Sequence, residues 1–163
     1  MHRDKYTIGT ISSGTHRLED LIPTLACELE SLAANNGRAA EFAPLVVESA
    51  VIADALDGAK NIAGRDWSQT DLDASGMMES LMNALDEFAP PYFYFGTHPG
   101  DGADFGFWLS EFFSDEFEGL KVDDLAAIPN DYEGEAIVIN DHGNMSLYTV
   151  RKGEKITAVW SIV

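Results

Sequence analysis

A double proline, Pro90–Pro91, divides this chain into two kinds of pattern. Proline lacks the N–H a helix needs and restricts the residue before it, so a helix reaching this point must stop here. Upstream, apolar residues recur at helical spacing; downstream, short aromatic and aliphatic runs take over. The first predicted helix starts near Asp20 as N-cap, with Pro23 in the first turn. It carries Leu21, Leu25, Leu29 and Leu32 on one face and stops at "NNG", 35–37. The second spans about Ala39 to Leu56, with a stripe of Phe42, Leu45, Val46, Ala50, Ala53 and Leu56, and ends at Gly58. After a polar loop over 59–70, the third covers about Asp71 to Ala89, capped by Thr70. Its face is Leu72, Met78, Leu81, Met82, Leu85 and Phe88, and Met77, Met78 and Met82 read as core filler.

The strands come from the ends of the chain. "KYTIGTI" alternates as a strand, and "YFYF" with "DFGFW" flank a Gly- and Pro-rich turn as a β-hairpin. "LSEFFSDEFEG" places Leu109, Phe112, Phe113 and Phe117 at helical spacing. "EAIVIN", "MSLYTVR" and "KITAVWSIV" then read as an antiparallel meander with turns at "DHGN" and Gly153. The expected fold is α+β: three N-terminal helices on a mainly antiparallel sheet, with a C-terminal three-stranded meander, as a single domain over residues 1–163.

Charge narrows the function. Acids outnumber bases 28 to 10, and residues 41–134 hold 20 of the acids against Lys60, Arg65 and Lys121. Such a field repels anionic nucleic acid and membrane surfaces and attracts basic ones. Solubility, or adaptation to salt, is the alternative use of the same charge. A hydrophobic content of 45% sets the chain apart from disordered acidic tails. No apolar run approaches a membrane span, and the N-terminus lacks the apolar core of a signal peptide, so the expected location is cytoplasmic. Cys27, the one cysteine, lies between Leu25 and Leu29 and is expected to be buried and inert.

The stretch "FGTHPGDGADFGFW", 95–108, carries the densest group of chemical side chains. His98, Asp101 and Asp104, joined by His142 from "NDHGN", are weak candidates for a His/carboxylate metal site. Their spacing matches no compact metal motif. The plainer reading gives Gly100, Gly102 and Gly143 positive φ, with the Asp and Asn side chains capping turns. Nucleophile, P-loop and dinucleotide signatures are absent, so neither a catalytic residue nor a cofactor is expected.

The carboxylates are better placed for binding. Glu111, Asp115 and Glu118 fall at i, i+4 and i+7, with Glu116 beside them; Asp71, Glu79, Asp86 and Glu87 lie on or near the outer face of the third helix. Helical neighbours stand about 5–6 Å apart, and duplex DNA carries one charge per about 1.7 Å of axis. Rows of carboxylates on helices can therefore imitate a phosphate track.

Two motifs, "YFGTHPGDGADFGFWLSE" and "INDHGNMSLYTV…VWSIV", resemble small acidic proteins encoded by phages, plasmids and integrated elements. The resemblance covers about the last 70 residues and transfers no catalytic residue. It implies a mobile-element context, in which DNA-mimic antirestriction and anti-CRISPR proteins block DNA-binding sites; size and charge are the likeness to those. The expected function is a non-enzymatic, DNA-mimic-type inhibitor of a nucleic-acid-processing enzyme. Its partner is the enzyme's basic groove, not nucleic acid itself. Alternatives are an immunity or antitoxin-like inhibitor of one nuclease, a metal-dependent enzyme on the His/Asp cluster, and a plain accessory protein.

Overall fold

The computed structural model describes residues 6–59 and 67–162 and has an α+β architecture. It divides into two compact units, Gly9–Leu109 and Ser110–Val163, the latter joined by the segment ending at Ile8.

In the first unit, strand β1 (Gly9–Ser12) leads into helix α1 (Leu18–Asn35). The helix opens two residues before Asp20, because the Arg17 carbonyl accepts from the Asp20 and Leu21 amides at 3.0 Å each. Asp20 is thus in the first turn, where its charge suits the helix dipole, rather than at the cap, and Pro23 falls beyond that turn. The "NNG" stop forms as expected. Gly37 takes φ 72°, and Arg38 N–H returns to Ala33 O at 2.7 Å while Gly37 N–H returns to Ala34 O at 3.2 Å. This is a Schellman closure, which needs a left-handed residue at this position.

Helix α2 (Ala39–Ala59) runs through Gly58 instead of ending there. Its inner face is Phe42, Leu45, Ser49, Ile52 and Leu56; Ala50 is exposed. Ser49 stands seven residues from both Phe42 and Leu56, two turns either way, and is buried with its hydroxyl donating to Val46 O at 2.7 Å. Helix α3 (Trp67–Asp86) starts earlier than expected. The predicted 59–70 loop lies largely outside the described residues, as do Lys60 and Arg65; Thr70 is inside the helix, not its cap. Met77 and Met78 are buried as core, with Leu81 and Leu85 beside them. Leu72 is 66% exposed, because nine residues before Leu81 is two and a half turns, the opposite face.

Asp86 ends α3 before the prolines. The turn Pro90–Phe93, closed by Phe93 N–H to Pro90 O at 2.9 Å, puts Tyr92 at φ 70°. A bulky residue rarely takes that conformation. Strands β2 (Phe93–His98) and β3 (Asp101–Leu109) form the expected hairpin around Pro99–Gly100, and the sheet order is β1-β3-β2, all antiparallel. Phe95, Phe105 and Phe107 join the helix side chains in one core. Most of the stretch 95–108 is therefore strand, not loop, and Gly100 and Gly102 do not take positive φ; Gly143 does.

In the second unit, helix α4 is only Phe113–Glu116. Leu109 is still in β3 and Phe112 is 58% exposed, so the longer helix expected over "LSEFFSDEFEG" does not form. Buried Phe113 and Phe117 pack at 5.3 Å between ring centroids, and Trp160 meets Phe113 at 6.0 Å. The meander is β5 (Gly134–Ile139), β6 (Met145–Val150) and β7 (Thr157–Ile162), antiparallel as expected. A short strand β4 (Leu120–Val122), not foreseen, adds a parallel edge to β5. Tyr132 secures that edge: its hydroxyl accepts from Leu120 N–H at 3.0 Å and donates to Glu135 O at 2.7 Å.

Candidate functional site

Every described Asp and Glu side chain is exposed or half-buried; none is in a core. Burying an unpaired carboxylate is costly, so placement at the surface is expected. What distinguishes this surface is the fate of the cations. In the unit Gly9–Leu109 the described basic side chains are Arg17 and Arg38, and both are held by acids of the same unit. Arg17 pairs with Glu19 and Asp20. Arg38 pairs with Glu41 at 2.7 Å and Glu87 at 2.6 Å, its guanidinium 4.8 Å and 5.1 Å from the ring centres of Phe42 and Phe88. The carboxylate hydrogen bonds raise the pKa of both arginines, and Arg38 in turn holds Glu41 below the usual carboxylate range.

The four acids expected on α3 divide into two kinds. Asp71 and Glu79 are exposed, eight residues or about 12 Å apart along the axis. Asp86 is exposed too but bound to the fold: its Oδ1 accepts from Phe95 N–H at 2.7 Å and ties the hairpin to the helix end. Glu87 lies beyond the helix and is the partner of Arg38. Glu111, Asp115, Glu116 and Glu118 are all exposed. The single helical face expected to align Glu111, Asp115 and Glu118 is absent, because α4 has four residues and Phe117 is extended (φ −80°, ψ 106°). The acids of this segment cluster in sequence without forming a regular track.

The hairpin side chains have local tasks. His98 Nδ1 accepts from Gly100 N–H at 3.0 Å, and its ring meets Trp108 edge-on at 4.6 Å. Asp101 Oδ1 accepts from Ala103 N–H at 2.9 Å, and Asp104 Oδ2 from the Thr10 hydroxyl at 3.1 Å. His142 belongs to the other unit, in the turn where Asn140 Oδ1 accepts from the His142 and Asn144 amides. Among the described residues, no three of His, Cys, Asp or Glu come together as a group that could hold a metal ion. Trp108 Nε1–H donates to Gly96 O at 3.1 Å, so this aromatic braces the hairpin.

Cys27 is exposed, contrary to expectation. It lies two residues after Leu25 and two before Leu29, on the far side of the helix from both, and lines an open hollow with Thr10, Pro23, Thr24 and Glu28. Among the described residues no helix is long and apolar enough to cross a membrane. No family model, no curated protein and no solved structure matches this chain.

Sequence reasoning missed two features. The Arg38–Glu87 pair needed tertiary proximity, since the two are 49 residues apart, whereas the Arg17 pairs and Arg38–Glu41 span at most three residues. The outer face of α2, with Val47 and Val51 exposed, was visible in principle: apolar residues spread round this helix between its acids Glu41, Glu48, Asp54 and Asp57, and only one side can face the core.

Proposed function

We propose that this protein acts by binding rather than catalysis, as an acidic decoy for the basic groove of a nucleic-acid-processing enzyme, in a mobile-element or host-defence setting. One observation carries the reading. In the helical unit both described cations are taken up by intramolecular pairs, while the carboxylates around them remain at the surface. Among the described residues the unit therefore presents a field of one sign, and such a field steers a basic partner into contact. Asp71 and Glu79 on α3, and the segment Glu111, Asp115, Glu116 and Glu118, are the proposed contacts; Asp86 and Glu87 serve the fold instead. The resemblance to small acidic phage and plasmid proteins supports the setting.

The test is competition. A panel of purified DNA-cleaving defence enzymes, each carrying a fluorescent duplex, is titrated with the protein at low and moderate salt. Displacement of DNA from a panel member, weakened by added salt and by Asp71→Lys with Glu79→Lys, is the expected result. Failure to displace DNA anywhere in the panel overturns the decoy. Tight capture of one nuclease that DNA does not relieve would instead favour the immunity-protein reading.

A further inference from the structure

The outer side of α2 carries apolar residues beside its exposed acids Glu41, Glu48, Asp54 and Asp57. Ala40, Ala43, Pro44, Val47, Ala50 and Val51 are all exposed, and Val47 and Val51 keep 66% and 64% of their surface in solvent. At 100° per residue Val47 and Val51 stand one turn apart on the side opposite Leu56, so the stripe is continuous and distinct from the core face. An exposed stripe with this length and direction is a mark of an interaction surface.

Beside the stripe is a cavity of about 180 Å³, between the end of α1 and the start of α2, lined by Ala33, Phe42, Ala43, Val46 and Val47, with Glu30 on its wall. A cavity of about 150 Å³ is enough to hold a benzene ring, so this one admits a leucine or phenylalanine side chain. Among the described residues the unpaired charges around the stripe are of one sign. Glu30, Glu48, Asp54 and Asp57 are exposed along it, and Arg38, the one described base near the start of α2, is committed to Glu41 and Glu87. A second copy of this chain would bring these carboxylates against their own kind, which disfavours it at neutral pH.

We infer that α2 is the docking site of a basic amphipathic helix of a partner protein. The partner's apolar stripe lies along Val47 and Val51, one bulky side chain enters the cavity, and flanking Lys or Arg residues meet Glu30, Glu48 and Asp54. This is helix-on-helix recognition, with apolar anchors supplying affinity and rim charges supplying orientation. The inference rests on the proposed function only in taking the partner to be a basic protein. It assigns the anchoring contact to α2, apart from the acids of α3.

A synthetic leucine–lysine helical peptide of about 14 residues is the probe, with a control of equal charge in which glutamine replaces every leucine. Binding of both to the full chain is measured by fluorescence anisotropy at physiological salt, with sedimentation of the protein alone. The leucine peptide is expected to bind at least about tenfold more tightly than the control, and Val47→Gln with Val51→Gln to remove that difference. Both valines are exposed, so circular dichroism of the double variant should match the parent. Equal binding of the two peptides, or an unchanged preference in the double variant, overturns the inference. A parent dimer that the double variant dissolves also overturns it, assigning the face to a second copy. Asp71→Lys with Glu79→Lys separates the two proposals: it should weaken DNA competition while leaving the leucine preference intact.

Discussion

Arg38 Nη2 donates to Glu87 Oε2 at 2.6 Å, joining residues that are 49 positions apart in sequence. The same guanidinium holds Glu41, so the turn after α1, the first turn of α2 and the residue after α3 meet at one side chain. Phe42 and Phe88 flank it, with their own rings 5.4 Å apart.

Arg38→Met should therefore lower the melting temperature at pH 7, and Arg38→Lys should recover only part of the loss. A lysine ammonium is a point charge and cannot grip two carboxylates while stacking on two rings. The pH dependence follows from Glu41, whose carboxyl is held below its ordinary 4.5 by Arg38. A depressed acid contributes stability above its unfolded pKa and loses it as pH falls through the folded value. The gap between parent and Arg38→Met should thus be full at pH 7 and narrow progressively below about pH 4.5. Thermal melts across that range would show it; a constant gap would mean the rings, not the charges, carry the effect.

Asp86→Ala should destabilise the protein by about 1–3 kcal/mol, because it strips the Phe95 amide of its acceptor in a partly buried place. Asp71→Ala and Glu79→Ala, at exposed positions of α3, should stay within about 0.5 kcal/mol of the parent. Urea titrations of the three variants would test the division of these acids into structural and surface groups. Equal effects at all three would refute it.

Two glycines should respond oppositely to alanine. A Cβ at Gly106 would overlap the Gly9 carbonyl where β3 pairs with β1, and backbone cannot swing aside, so Gly106→Ala should cost about 1–3 kcal/mol or more. Gly76 lies inside α3 with open space where its Cβ would stand. Gly76→Ala should raise stability by about 0.5–1 kcal/mol through helix propensity. Denaturant midpoints would separate the two signs.

Cys27 is exposed on α1 and should react stoichiometrically with a water-soluble disulfide reagent in the folded protein, without denaturant. Reaction only after unfolding would place the thiol inside. Because the Cys27 side chain is itself at the surface, Cys27→Ser should leave stability nearly unchanged.

Local chemistry in the sequence determined much of this protein. The helical repeats of α1 to α3, the stop at Gly37, the break at Pro90–Pro91, the hairpin and the antiparallel meander all follow from short-range periodicity and backbone preference, which act within a few residues. Helix starts did not: α1 begins at Leu18, opened by backbone carbonyls rather than a capping side chain, and α3 begins at Trp67, ahead of Thr70. The aromatic spacing of "LSEFFSDEFEG" also misled, since the helix stops after one turn at extended Phe117, and Phe113 packs on Phe117 and on Trp160, 47 residues on. The charge is written in the composition, and Arg17 with Glu19 and Asp20, and Arg38 with Glu41, pair locally, but the clasp of Arg38 on Glu87 joins residues 49 apart. Only the tertiary structure decides that pairing, and it also decides which side of α2 meets the core and which meets solvent.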